Sequence, residues 1–355
     1  MGDLCVKAGK RVYAMIRDGG FTMDQIATYV GPGVGPRWLV ANGFDVTLLK
    51  EKILGRQRPV LLAGSSAGAL RFAAWVQPEA AMCYQQLIER YIAMTFDRGT
   101  TPDTVRAAIT DVINSYIDDD AISFALSHAP YRLAITTARS RHLAASDIDW
   151  VQRMGLLLCF FCNAVNTAWM SLCFERVVFY NSPIPPRFCL REDFRGTAVS
   201  LNDINFKHVL AASAAIPLVM RGIRDIFGAP RGVYRDGGMV DYHMNQRYGE
   251  NGDEATLLFH HQERIVPVWM DKRLKHRGLR SSDLENVLMV YPSEELIRKM
   301  PGEKVPDRED FSLFVDSPAT RKARWWRAVE LSSHLGEEFL ELVQSGRIRK
   351  CIQEL

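Results

Sequence analysis

The stretch that most constrains the fold is Arg58-Pro-Val-Leu-Leu-Ala-Gly-Ser-Ser-Ala-Gly-Ala-Leu70. Pro59 to Ala63 is short, unbroken and apolar between turn signals, which suits a buried parallel strand better than an amphipathic helix. It runs into Gly64-Ser-Ser-Ala-Gly68, whose Gly-x-Ser-x-Gly spacing puts Ser66 at the apex of a strand-to-helix bend. Gly64 and Gly68 have no side chains to collide there, so the hydroxyl stands clear of the backbone, near the N-terminal dipole of the next helix. The pattern reads as a nucleophile elbow, with an ordinary tight turn as the competing reading. The apolar residues from 70 to 76 that follow favour the elbow.

Composition narrows what can surround it. With 355 residues, 47% of them hydrophobic, the chain can bury a large core. No low-complexity linker divides it, so the expectation is one elaborated α/β domain over 1–355 with a helical C-terminal part from about residue 317. Forty-four basic and 41 acidic residues leave a net charge of +3, without the broad basic footprint that nucleic acid demands, so no nucleic-acid partner is expected. The seven cysteines are odd in number and scattered, which fits free thiols in a reducing compartment. Cys159 and Cys162 have redox spacing but lie in a wholly apolar stretch, where cysteine behaves as a small hydrophobe. There is no HExxH motif, and His260 and His261 are adjacent, so they do not share a helix face; neither a metal nor a cofactor is expected. The opening residues lack a basic segment followed by an apolar one, and Val6 stands where a myristoylation signal wants Ser or Thr. A cytoplasmic protein with peripheral membrane contact is the resulting expectation.

In chain order, Thr22 and Gln25 read as a capping box opening a short helix through Ile26 to Val30. Next come the glycines of Gly31-Pro-Gly-Val-Gly-Pro-Arg-Trp-Leu39, with Pro36 placed to start a new helix. Such a turn aims free N–H groups at one spot and can hold an oxyanion; a plain glycine-rich connection competes with that reading. Helical spacing recurs over 45–54 and 78–110. Strands are expected at Tyr131 to Ala138, Arg176 to Tyr180, Ile265 to Trp269 and Asn286 to Pro292. Residues 154–174 carry no charge; a buried helix is the favoured reading, and a lid or membrane-contacting segment the alternative. Val209 to Pro217 is a helix of small residues that must pack closely. Asp236 ends a short apolar run before two glycines, where a carboxylate serves either as a base or as ordinary turn chemistry. Trp325 and Trp326 lie among cations, and inward packing of tryptophan is preferred there over a membrane interface.

Taken together, Gly64 to Gly68, Asp236-Gly237-Gly238 and the Ala212-Ser-Ala-Ala-Ile-Pro217 segment between them resemble the patatin-like phospholipase family. The resemblance runs from the glycine-rich segment to Gly238; the residues beyond match no motif of the family. It implies a three-layer α/β fold with a central, mostly parallel sheet flanked by helices. It also implies a Ser–Asp dyad without histidine, in which Ser66 attacks a lipid or other acyl ester and Asp236 takes its proton. The family's Gly-Gly-Gly-x-Arg/Lys-Gly oxyanion loop is met in part by Gly33, Val34, Gly35 and Arg37. Val34 replaces the middle glycine and Trp38 the last, and Pro36 has no N–H, so Val34 and Gly35 are the expected donors. Arg37 falls on the basic position, facing either a lipid phosphate or a structural carboxylate. Two rival readings stand beside this one. One is an α/β-hydrolase triad of Ser66, Asp236 and His260 or His261; the other is a catalytically silent lipid-binding protein.

Overall fold

β-branched and apolar residues in runs of five to ten form eight of the strands, and two- or three-residue segments the other three, of one eleven-stranded sheet, seen in a computed structural model that describes residues 2–189, 194–249, 252–274, 277 and 279–355. The strands are β1 (Leu4–Ala8), β2 (Ile26–Gly31), β3 (Val60–Ser65), β4 (Tyr131–Ser140), β5 (Phe174–Tyr180), β6 (Gly196–Ser200), the short pair β7 (Ile223–Arg224) and β8 (Val233–Arg235), β9 (Ala255–Phe259), β10 (Val287–Pro292) and β11 (Gln353–Glu354). Their order is β11-β1-β10-β9-β2-β3-β4-β5-β6, with β8 pairing β4 and β7 in addition. From β10 through β9, β2 and β3 to β4 all neighbours are parallel. Antiparallel pairings occur where β1 meets β10 and where β4 meets β5 and β8. Helices flank this sheet in a three-layer α/β arrangement, as expected from the sequence.

The labelled helices are α1 (Lys10–Asp18), α2 (Asn42–Glu51), α3 (Ala67–Trp75), α4 (Ala80–Ala93), α5 (Pro102–Tyr116), α6 (Ile122–Ser127), α7 (Asp149–Val165) and α8 (Phe206–Ser213). Because side chains alternate across a strand, Leu62 of β3 joins the larger core with α3, α4, α5 and α8, while Ala63 faces a smaller cluster with Val30, Ala134 and Val178. Helices Pro318–Leu331 and Leu335–Gln344 send Trp325 and Phe339 into the larger core. Trp325 is therefore packed inward as preferred, under a cation–π contact from buried Arg321.

A buried polar knot fixes the helices around β3. Arg71 on α3 donates through Nε and Nη2 to the two oxygens of Asp45 on α2, both at 2.8 Å. The hydroxyls of Tyr29 on β2 and Tyr84 on α4 bond to the same carboxylate. All four residues are fully or almost fully buried, and stripping one partner from such a pair typically costs about 3–5 kcal/mol. The knot thus holds α3, at whose head Ser66 lies, rigidly against β2 and α2.

Several expectations need correction. The Thr22–Gln25 capping box exists, but it closes only a 3-10 turn, and Ile26 onward enters the sheet as β2. The helical pattern over 78–110 is two helices, α4 and α5, separated at 94–101. Ile265 to Trp269 is not a strand: Pro267 interrupts it, and the carbonyls of Val266 and Pro267 accept instead from His243 and Tyr242 N–H. Residues 154–174 do not form a buried helix. Only Gln152, Gly155, Cys159 and Asn163 of α7 are buried, while Trp150, Met154, Leu157, Leu158, Phe161 and Val165 are exposed along one helical face, and Trp169 and Leu172 continue it. Nor are all cysteines free, since Cys159 of α7 is joined to Cys173 in a disulfide. Among the described residues no helix is long and apolar enough to cross a membrane.

Candidate active site

At the carboxyl end of β3 the chain turns sharply into α3, and Ser66 takes φ 52° and ψ −121° at that turn. A non-glycine residue with positive φ is uncommon and costs on the order of 1–3 kcal/mol, so the surroundings must hold it. They do so through a relay of hydrogen bonds. Ser66 N–H donates to Ser213 Oγ at 2.8 Å, and Ser213 Oγ donates to the Thr136 carbonyl of β4 at 2.7 Å. Close approach of β2 completes the elbow, because a methyl group on Gly68 would run into the Gly31 carbonyl.

β8 pairs with β4, which in turn pairs with β3, so the topology brings the end of β8 to the elbow. There Ser66 Oγ donates to Asp236 Oδ2 at 2.6 Å. The other carboxylate oxygen accepts Gly238 N–H at 2.7 Å, and Asp236 N–H donates to the Ala215 carbonyl at 2.9 Å. Ser213 and Ala215, both in the small-residue segment, thus position the serine and the aspartate respectively. Burial pushes the Asp236 pKa up to about 6, against the opposing pull of the Ser66 hydroxyl, the Gly238 N–H, Arg308 and Lys272. A carboxylate tuned there is suited to accept a proton near neutral pH.

The glycine loop after β2 faces the elbow, and its donors differ from the expected pair. Gly33 N–H is taken by the Tyr242 carbonyl at 2.8 Å, and Val34 N–H by the Pro32 carbonyl at 3.0 Å. Among the described residues, Gly35 and Ala67 N–H have no acceptor, and both residues line a cavity with Ser66. Gly35 sits at φ +58°, a conformation that favours glycine. Ala67 follows Ser66, the position from which a nucleophile elbow donates its N–H, and the Gly-x-Ser-x-Gly spacing alone was enough to suggest it. Arg37 is paired with Asp307, its 3.5 Å approach to the Tyr242 hydroxyl being marginal. The structural carboxylate is therefore its partner.

Two cavities meet at Ser66. The larger, about 490 Å³, is lined by Leu70, Tyr91, Phe96, Ile109, Met220 and Phe311 among others, and is largely apolar. The smaller, about 110 Å³, is lined by Leu156, Asp236, Tyr242, Trp269, Lys272 and Arg308 among others. Leu218 lines both and is itself held at φ +66°, its N–H donating to Gln152 Oε1 of α7 at 2.7 Å. The exposed apolar helix is thereby tied to the wall of the site. Lys272 and Arg308 were not foreseen, since isolated cations far from any motif carry no sequence signal.

His243, His260 and His261 come together outside these cavities, all buried, with ligand atoms within 4.8 Å of one another. The reason for setting aside a metal at His260 and His261 therefore fails, because the pair follows β9 rather than a helix. Their chemistry nevertheless suits a cation poorly. His243 Nδ1 accepts Val266 N–H at 2.8 Å, so in the neutral ring Nε2 carries the proton and has no lone pair to offer. Burial, with Arg37 and Lys272 nearby, keeps the His243 and His261 pKa values well below the ordinary one, and burial lowers His260 to about 4. Among the described residues no histidine is hydrogen-bonded to Ser66 or Asp236, whose partners are given above.

The chain matches no known protein-family model, and no curated protein is similar to it.

Proposed function

We propose that this protein is a serine lipid acyl hydrolase of the patatin-like kind, cleaving carboxylic esters through an acyl-enzyme on Ser66. The observation that carries the reading is the 2.6 Å hydrogen bond from Ser66 Oγ to Asp236 Oδ2 at a strained elbow between two cavities, with no histidine among the described residues in the relay. In the first step Ser66 Oγ bonds to the ester carbonyl carbon as its proton passes to Asp236. The developing oxyanion is met by Gly35 and Ala67 N–H. Collapse of the tetrahedral intermediate breaks the C–O bond to the alcohol, which leaves with the proton from Asp236. Water then attacks the acyl-enzyme, Asp236 taking its proton and returning it to Ser66 Oγ, so the free acid departs and the enzyme is restored. The large apolar cavity suits an acyl chain, its volume lying within the ~300–1,000 Å³ of ligand pockets. A fluorophosphonate probe tests the reading directly: a single adduct is expected, located on Ser66 by peptide mass spectrometry; labelling elsewhere would place the nucleophile on another residue, and no labelling argues for the silent lipid-binding alternative.

The same reading gives the exposed face of α7 a use. Its apolar residues lie beside the site wall, with Trp150 and Trp169 toward the two ends, a pattern suited to resting in a lipid interface while substrate enters. In liposome flotation the protein is expected to rise with vesicles. Leu157→Glu with Phe161→Glu should cut the bound fraction about tenfold or more, since each large side chain gains about 1.5–3 kcal/mol on leaving water. Equal flotation of the double variant would remove α7 from that role.

A further inference from the structure

The buried stripe of α7 begins and ends in an amide, Gln152 and Asn163, and the first of these reaches the junction of the two cavities. Gln152 is 3% exposed, although Trp150 and Met154, two residues to either side, are exposed. Its Oε1 accepts Leu218 N–H at 2.7 Å, and its Nε2 donates to the Ser146 carbonyl at 2.8 Å. Both partners are backbone groups with fixed roles, so the position needs one acceptor and one donor; a carboxylate cannot donate, and an apolar side chain can do neither. The same Ser146 carbonyl accepts Arg235 Nη2 at 3.1 Å, and Arg235 Nη1 donates to the Met220 carbonyl at 2.8 Å. Leu218 and Met220 bound a short stretch of the large cavity wall, which is thus pinned at its two ends by buried side chains that meet on one carbonyl.

Leu218 needs this hold. Its φ of +66° is one that side chains other than glycine rarely adopt, and among the described residues Gln152 Oε1 is the acceptor of its N–H. The leucine lines both cavities, as do Ser66 and Ile216. Resting on the acyl hydrolase reading above, we propose that Gln152 is a positioning residue for that reaction. By holding Leu218 in its strained conformation it keeps the leucine side chain as the divider between the acyl and alcohol halves of the ester, and it makes the apolar helix α7 part of the site wall. Without the acceptor, Leu218 relaxes toward negative φ and its side chain leaves the junction. A substrate whose chain passes that point is then misplaced relative to Ser66, and a shift of roughly 1 Å can lower a rate about 100-fold. An acetyl group ends at Ser66 and depends far less on that wall.

The test compares kcat/KM for p-nitrophenyl octanoate and p-nitrophenyl acetate, which share one leaving group. Gln152→Met keeps the length of the side chain but offers neither a carbonyl oxygen nor an N–H. It should lower the octanoate-to-acetate ratio about tenfold or more, with most of the loss in kcat, as misplacement of a bound substrate predicts. A merely structural role would lower both rates together and keep the ratio, so an unchanged ratio overturns the proposal whether or not activity falls. Leu218→Gly adopts the positive φ without strain and removes the divider. It should lower the ratio as far, and Gln152→Met added to it should change the ratio little more, because a glycine there needs no holding. This second variant decides the matter should Gln152→Met not fold, since a ratio kept in Leu218→Gly also overturns the proposal. If the unaltered protein cleaves neither ester, the hydrolase reading falls, and calorimetry with 1-octanol decides the role of Gln152. The alcohol should bind, and either variant should weaken it about tenfold, as loss of a large apolar contact predicts. Equal binding by the variants, or no binding by the unaltered protein, overturns the positioning role.

Discussion

Ser66→Ala is expected to lower turnover of an activated ester on the order of 10⁴-fold or more, the largest single effect of any substitution in the protein. In the proposed mechanism the hydroxyl is the atom that bonds to substrate, and its removal leaves only substrate binding and the Gly35 and Ala67 donors to act on an uncoordinated water. The residual rate should therefore remain above that of the buffer. Alanine tolerates the positive φ of the elbow no worse than serine, so the backbone should persist, held by the Ser66-position N–H bond to Ser213 Oγ. One side effect has a definite sign. Asp236 Oδ2 loses the hydroxyl that helps to lower its pKa, so the carboxyl should titrate still further above its ordinary range in the variant. Single-turnover acylation with a p-nitrophenyl ester, alongside circular dichroism, checks the result. Activity within tenfold of the unaltered protein would place the nucleophile elsewhere.

The elbow was legible because its signals are local and agree: an apolar run, small residues at fixed spacing, then a stretch rich in alanine and leucine that favours a helix. Asp236 and the segment around Ser213 were legible only through a resemblance, and the reason is now physical. Ser213 and Ala215 reach the elbow and the aspartate through backbone partners, so what the sequence must preserve there is smallness and one hydroxyl, a weak pattern by itself. α7 was misread because its periodicity is inverted. Gln152 and Asn163 are buried on hydrogen bonds to the Ser146 carbonyl, Leu218 N–H and Asp271, while Leu157, Leu158 and Phe161 point outward. An uncharged segment read by composition alone sends the leucines inward. Ile26 to Gly31 shows the opposite conflict, in which a genuine capping box was satisfied within one turn and β-branched neighbours then took the chain into the sheet. The histidine cluster joins residues from two distant segments through the Tyr242–Pro267 and His243–Val266 backbone bonds, and no spacing rule anticipates that.

Asp236→Asn is expected to reduce acylation about 10³-fold or more, because an amide cannot take the serine proton; general-base catalysis contributes up to about 10⁴-fold. The geometry should survive, since the side-chain oxygen still accepts Gly238 N–H at its present 2.7 Å position while the amide nitrogen replaces Oδ2 beside Ser66. Single variants His243→Ala, His260→Ala and His261→Ala should each keep most activity, as none of these rings bonds to the dyad. The pH profile separates the two mechanisms in a direction that ordinary pKa values would have concealed. A surface carboxylate titrates well below histidine, so activity persisting into acid would normally indicate an aspartate base. Here burial reverses the order, with Asp236 raised to about 6 and His260 lowered to about 4. The base must be unprotonated to act, so a dyad loses kcat/KM as pH falls through about 6, whereas a base drawn from the buried histidines would still be active there and fail only near 4 or below. The inflection near 6 should also persist in all three histidine variants and disappear in Asp236→Asn. Loss of acylation in one folded histidine variant, together with an inflection at the lower pH, would replace the dyad with a Ser–Asp–His triad.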